Sequence, residues 1–163
     1  MSVEIVYPTE ELFQGYYEAI AAVGSERVFI EIIEPPPFEK IAEFQRNLIK
    51  ANGPVYYAVD SGRVIGWCDV FPMTNPRLAH RGELGMGLFP EYRGKGVGTR
   101  LLQAVIEHSR RIGLEKIELK VYTSNKTAIA LYEKHGFERE GVIKNYRKLD
   151  GQVFDVLAMA KFL

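Results

Sequence analysis

Three glycines at alternate positions, Gly94, Gly96 and Gly98, follow an apolar run that ends at Pro90. Immediately after them Val97, Leu101, Leu102, Val105 and Ile106 recur at helical spacing. A strand, a turn and a helix therefore follow one another directly. The first N–H groups of a helix have no partner inside it, and glycines there keep side chains out of the way. An oxygen-rich anion can approach such a backbone, and phosphate or pyrophosphate is the natural guest. Arg93 and Lys95 add positive charge beside the turn. No Gly-Lys-Ser/Thr triplet follows, so this is no nucleoside-triphosphate P-loop. The glycine spacing also departs from the dinucleotide-binding fingerprint. The alternative is a tight strand–helix turn with no ligand.

Other residues carry chemistry by type and place. Asn125 stands where a helix begins, as an N-cap or first-turn residue. Tyr132 lies seven positions on, so one helix face presents both. Glu83 sits on the strand before the glycine turn and shares a face with Gly85, Gly87 and Phe89. Two glycines there leave space that a substrate can use; the competing reading of Glu83 is an ion pair with Arg81. His80 is a second titratable residue nearby, in a loop. His108 and His135 read as helix-surface residues. Cys68 falls mid-strand and reads as a small core residue.

The elements that position these residues follow from periodicity. Residues 3–7 alternate as a first strand, and Thr9 can cap a helix with Leu12, Phe13, Tyr16, Tyr17 and Ile20 as its apolar stripe, stopped by Gly24. Residues 28–33 read as extended up to the proline run 35–37. A second helix follows with Ile41, Phe44, Leu48 and Ile49 inward, closed by Gly53-Pro54. Strands at 55–59 and 63–71 join through Asp60-Ser61-Gly62. A loop spans 72–79, and a strand at 81–89 leads into the glycine turn. A helix over 97–112 ends at Gly113, a C-cap. The strand around Ile117, Leu119 and Val121 has a wetter face carrying Glu118, Lys120 and Tyr122. Its short reach from the preceding helix implies a crossover and a parallel pairing. A last helix starts at Ser124 or Asn125 and stops at Gly136, and a hairpin over 137–163 turns at Asp150-Gly151. The whole reads as one mixed α/β domain, residues 1–163.

Composition narrows the function classes. The chain has 163 residues, enough for one core. Lys plus Arg and Asp plus Glu number 21 each, so net charge gives no argument for nucleic acid or a membrane surface. A single cysteine excludes an internal disulfide, and with three scattered histidines it offers no zinc spacing. No metal is expected. No apolar run has membrane-spanning length and no leader pattern opens the chain, so the expected location is the cytoplasm.

Arg93-x-x-Gly96-x-Gly98, straight after a strand and opening a helix, resembles the acetyl-coenzyme A signature of the GNAT family of N-acetyltransferases. The block Asn125-Lys126-x-Ala128-Ile129-x-Leu131-Tyr132-Glu133-Lys134-x-Gly136-Phe137 is similar to the family's C-terminal half. The resemblance implies a mixed sheet of six to seven strands flanked by about four helices, splayed between the fourth and fifth strands. It implies that acetyl-CoA is the cosubstrate. Its pyrophosphate would rest on the backbone of Arg93, Gly94, Lys95, Gly96, Val97 and Gly98, with Thr99 adding a hydroxyl. Main-chain groups of Gly87, Leu88 and Phe89 would hold the pantetheine arm, and Asn125 would contact it. Tyr132 would protonate the leaving thiolate. The base stays open between Glu83, His80 and an ordered water. Tyr122, Tyr146, Phe29, Glu31 and the 72–80 loop would line the acceptor cavity, with Arg77, Arg81 or Arg147 as cation for a carboxylate. The final hairpin looks like the branch acetylating amino acids or phosphinothricin-like compounds, so the implied partner is a small-molecule amine. A peptide or ribosomal-protein N-terminal acetyltransferase and a non-catalytic acyl-CoA-binding module stay open as alternatives. A homodimer is consistent with the family's habits.

Overall fold

The structure, a computed structural model, describes residues 2–163. Seven strands form one sheet: β1 Val3–Val6, β2 Val55–Asp60, β3 Arg63–Pro72, β4 Arg81–Leu88, β5 Lys116–Tyr122, β6 Glu138–Leu149 and β7 Gln152–Phe162. Their order across the sheet is β1-β2-β3-β4-β5-β7-β6. Four α-helices join them: α1 Phe13–Ser25, α2 Phe38–Lys50, α3 Val97–Arg111 and α4 Lys126–Lys134. None of the described helices is long and apolar enough to cross a membrane.

All neighbouring strands are antiparallel except β4 and β5, which α3 connects and which run parallel. That pairing is short. It comprises Arg81↔Lys116, Gly82↔Ile117 and Glu83↔Glu118, and then stops. From Leu84 onward β4 pairs only with β3, while β5 pairs with β7 as far as Tyr122↔Val156. The sheet therefore opens into a V with its apex at Glu83. The expected splay is present.

The two faces of β4 serve different layers. Trp67, Asp69 and Phe71 lie opposite Gly87, Gly85 and Glu83, and α1 covers this face, with Tyr16 edge-on to Trp67. Leu84, Met86 and Leu88 take the other face, where Gly98 of α3 packs against Met86. The termini of α3 are sharply set. Gly96 precedes it at φ 80°, and Gly113 follows it at φ 83°. The N–H of Leu114 reaches back to Ser109 O at 3.0 Å, closing a Schellman-type end.

Several expectations need correction. Residues 28–33 form no strand; this segment folds back on α1, and Ile32 O lies where a Cβ on Gly24 would stand. Gly24 is thus a close-approach residue inside α1 rather than its stop. Thr9 makes no side-chain cap. Phe44 is not inward: it is 43% exposed and leans edge-on against Phe71, while Ala42 and Gln45 take the buried stripe of α2. His108 is no surface residue. It is 4% exposed, its Nε2 donates to Asn52 O at 3.0 Å, and its Nδ1 accepts from Tyr56 Oη at 3.2 Å. Cys68 is fully buried.

One buried cluster bears on stability. Asp69 Oδ2 accepts from Tyr16 Oη and Gln45 Nε2, both at 3.5 Å, and Gln45 Oε1 accepts from Tyr57 Oη at 2.6 Å. Burial pushes the Asp69 carboxyl up to about 7, against the opposing pull of its hydrogen bonds. The folded state then holds a proton that the unfolded chain has already shed above the ordinary value of 3.8. Stability from this group is present below that value and is lost as pH rises towards 7. Asp69→Asn keeps the site neutral. Chemical unfolding should show the variant more stable than the parent at pH 8, by roughly 2 kcal/mol, with a flatter profile between pH 4 and 7.

Candidate active site

The V between β4 and β5 is a gap between the carboxyl ends of two parallel strands, where ligands of open α/β sheets bind. The glycine turn stands at the end of β4. Asn125 stands at the end of β5, its N–H donating to Tyr122 O at 2.9 Å. The two predicted binding elements therefore face each other across the opening.

At the glycine turn no N–H from Gly94 through Thr99 has a backbone acceptor among the described residues; the first helical bond is Arg100 N–H to Gly96 O at 3.2 Å. Gly94 and Gly96 have φ of 70° and 80°, with open space where a Cβ would point. Successive free N–H groups in such a turn form a concave anion cradle. Gly98 acts differently. Its missing side chain lets α3 approach Met86 of β4 and Leu131 of α4. Lys95 is exposed and has no ion-pair partner among the described residues, and the Thr99 hydroxyl is likewise unbonded.

Arg93 does not add its charge to the cradle. Its N–H donates to Pro90 O at 3.1 Å. Its guanidinium turns back, giving Nε to Leu88 O at 2.9 Å and a forked pair to Glu26 at 2.6 and 2.9 Å, over the ring of Phe29. Arg93 is a brace between the glycine turn and the segment after α1.

The free edge of β4 alternates. Phe89 N–H donates to Ile65 O at 2.9 Å, so Phe89, Gly87 and Gly85 turn their main chain towards β3. Leu88 and Met86 turn theirs towards the gap. Of the strand residues expected to hold an extended arm, Leu88 has the right orientation, and its N–H alone is unclaimed because its carbonyl accepts from Arg93 Nε. Both main-chain groups of Phe89 are already used, its carbonyl by Tyr92 N–H at 3.0 Å. The expected open space at the two glycines is filled: Gly87 makes room for the Trp67 indole, and a Cβ on Gly85 would come within 2.9 Å of Asp69 Oδ1. These glycines seat β3 side chains and leave no pocket for a substrate.

Glu83 marks the apex. Arg81, its expected partner, is bound to Glu118 at 2.9 Å. Glu83 instead meets Lys120 at 3.6 Å across the gap, and Lys120 also faces the ring of Tyr146. Lys120 is the residue that sequence reasoning missed; its place on the wet face of β5 was the available signal. His80 is exposed in the turn before β4, where its carbonyl accepts from Glu115 and Lys116 N–H. That is the closed end of the strand pair, three residues or about 10 Å from Glu83 and further from the opening.

On α4, the side-chain oxygen of Asn125 accepts from Ala128 N–H at 3.2 Å, which leaves its amide NH2 without a partner among the described residues. Tyr132 is 8% exposed, its ring against Phe137. Burial raises its phenol well above the ordinary range, with Cys68 adding to the effect. Its hydroxyl makes no hydrogen bond within the described chain. A phenol held protonated and unbonded is available as a proton donor.

A third wall comes from the hairpin. The β6–β7 register slips between Ile143 and Arg147, and Asn145 takes φ 52°. Across this bulge Arg147 donates to Tyr122 Oη at 2.6 Å and to Ile30 O at 3.3 Å. At the hairpin tip Asp150 forms a forked pair with Arg27, both contacts 2.7 Å. The hairpin is thus fastened to the segment between α1 and α2. Phe29 lies under Arg93, Tyr122 accepts from Arg147 and Tyr146 faces Lys120; Arg77 stays in an exposed loop.

Comparison with known proteins bears on the same residues. Residues 10–137 match the acetyltransferase (GNAT) family. An L-amino acid N-acetyltransferase of Escherichia coli, AaaT, is 32% identical over 149 residues, covering 89% of this chain and 91% of the other. Among solved structures, the acetyltransferase of the GNAT family from Streptococcus pneumoniae superposes with a TM-score of 0.91 at 24% identity, over 99% of this chain and 100% of that one. A phosphinothricin acetyltransferase from Sinorhizobium meliloti in complex with AcCoA superposes at 0.83 and 23% identity, over 100% and 89%.

The cradle yields a direct test. Gly96→Val places a β-branched residue at a φ it strongly disfavours and fills the approach to the free N–H groups. Calorimetry should find affinity for CoASH reduced at least about 30-fold, with the melting temperature lowered by only a few degrees.

Proposed function

The chain belongs to the acetyltransferase (GNAT) family, and on that premise we propose that it acetylates the amino group of a free amino acid or a closely related small molecule. That it is an acetyl-CoA-dependent N-acetyltransferase follows from the family and from the E. coli relative. The residues present fit the cosubstrate: a cradle of unpaired N–H groups suits a diphosphate, and an unpaired strand edge suits an amide-bearing arm. Gly94, Lys95, Gly96, Val97, Gly98 and Thr99 would hold the diphosphate, with Leu88 and Asn125 along the arm.

Acetyl-CoA supplies the acyl group as a thioester, whose carbonyl carbon accepts the amine and whose sulfur leaves. The chain's residues handle the protons around that exchange. An amine arrives as an ammonium and must lose a proton before its lone pair is available; the Glu83 carboxylate stands at the apex to take it. Lys120 orients Glu83 from across the gap. The outward N–H groups of β4 polarise the carbonyl. Tyr132 holds the proton that the departing sulfur takes up. Cys68 is buried with its thiol pushed well up by desolvation, so direct transfer to the amine is favoured over a cysteine-bound route.

The observation that carries the choice of acceptor is the fastened hairpin. Arg27–Asp150 and Arg147–Ile30 fasten the hairpin to the segment after α1, which supports an enclosed acceptor side over an open peptide groove. A small acceptor needs no such groove. Second copies of the chain are a further part of this reading: the edge strand β6 exposes Val142 and Ile143, one on each face, and β7 exposes Val153, apolar positions that favour self-association.

Thiol release from acetyl-CoA, scored against free amino acids and against short peptides with free N-termini, tests the acceptor. Amino acids should be used and peptides not; use of peptides alone overturns the reading. Glu83→Gln should lower kcat about 100-fold with little change in the KM for acetyl-CoA. Tyr132→Phe should lower kcat by about tenfold, a smaller effect because a thiolate is a fair leaving group. Undiminished turnover in steady-state assays removes either residue from its role.

A further inference from the structure

We infer that Arg147 is the receptor for the acceptor's carboxylate, which makes the enzyme selective for α-amino acids over amines that lack an acid group. The inference rests on the amino-acid reading above and names the residue that would enforce it.

Three half-buried arginines stand near the divergent strands, Arg81 at their closed end and Arg93 and Arg147 nearer the opening. Arg81 is neutralised by Glu118 at 2.9 Å, and Arg93 by Glu26 at 2.6 Å. Arg147 alone of the three has no carboxylate partner among the described residues. Both of its hydrogen bonds run from Nη1, to the neutral oxygens of Tyr122 and Ile30. Those two contacts fix the plane of the guanidinium. They leave the Nε–Nη2 edge without an acceptor, and that edge has the spacing of a carboxylate's two oxygens. A partly desolvated cation with one edge anchored and the other empty is an anion site already paid for in side-chain entropy.

On the same face of β5, Lys120 is answered by Glu83. Glu31 is exposed, and its carboxylate engages the Tyr146 phenol, which is pushed up to about 12, first by that hydrogen bond. That phenol is neutral and leaves the Glu31 charge in place, so Arg147 and Glu31 are the two charges here without an ion-pair partner among the described residues, and Arg147 is the cation of the two. Along β5, Tyr122 lies two residues beyond Lys120 and four beyond Glu118, the register partner of Glu83. An acceptor reaching between them would present its amine towards the apex and its acid towards the hairpin.

The test compares each amino acid with its own carboxamide, first in the wild-type enzyme and then in R147Q and R147K. Wild type should prefer the acid by about 100-fold in kcat/KM, through KM, as expected for loss of a charge-assisted pair. In R147Q that preference should fall to about unity. R147K keeps the charge without the fork, so an intermediate preference is expected, and it serves if the glutamine variant melts early. If wild type uses acid and carboxamide equally, or if R147Q or R147K keeps the full preference, the assignment of Arg147 is overturned. If wild type uses neither and takes only peptides, it is the amino-acid reading itself that fails.

Discussion

Three residue pairs hold β4 to β5, and the site depends on where that pairing stops. Backbone N–H and C=O groups at a strand edge demand partners. Past Glu83 the outward edge of β4 has none in the sheet, because β5 swings away to follow β7. The fold thus leaves main-chain groups of β4 without a strand partner in the middle of a seven-stranded sheet, with the Leu88 carbonyl taken by Arg93 Nε. An extended ligand with its own amide groups can answer them. A disruption that would weaken an ordinary sheet here leaves an edge that an extended ligand can reach.

The divergence is held by its surroundings. At the closed end, Glu115 and Lys116 N–H donate to His80 O, and Arg81 bridges to Glu118. On one face, Gly85 and Gly87 let Asp69 and Trp67 rise against β4, locking it to β3. On the other, Gly98 brings α3 down onto Met86. The glycines near the site therefore do two different jobs. Gly94 and Gly96 supply backbone conformations that expose N–H groups, whereas Gly85, Gly87 and Gly98 permit close packing that keeps the strand in place. Arg93 joins the two halves, since it ties the end of β4 to Glu26 at the end of α1.

The acceptor side is assembled from segments far apart in the chain. The forked pair of Arg27 with Asp150 spans 123 positions, and Arg147 reaches Ile30 across 117. A segment without regular structure, residues 28–33, is held by these contacts and by its close approach to Gly24. Its order thus comes from its neighbours and not from an extended backbone of its own.

Local pattern was enough for much of this. Alternation and helical spacing located the strands and helices in order, because those periods are imposed by burial of one face. The glycine turn and the Asn125 cap were legible because both depend on backbone conformation and on neighbours within a few residues. The same logic failed where a side chain's fate depends on a distant partner. His108 has a helix-surface spacing, yet Asn52 and Tyr56 bury it. Arg93 looks like a phosphate ligand in a linear motif, yet Glu26 claims its charge. The gaps at Gly85 and Gly87 look empty along the strand, yet the side chains across β3 fill them. By itself, then, the sequence determined the order of the elements and the glycine turn, and it named candidates for moving protons without choosing among them. Only the tertiary structure decided which charges remain free, since ion pairing acts through space at a few ångströms and is indifferent to separation along the chain.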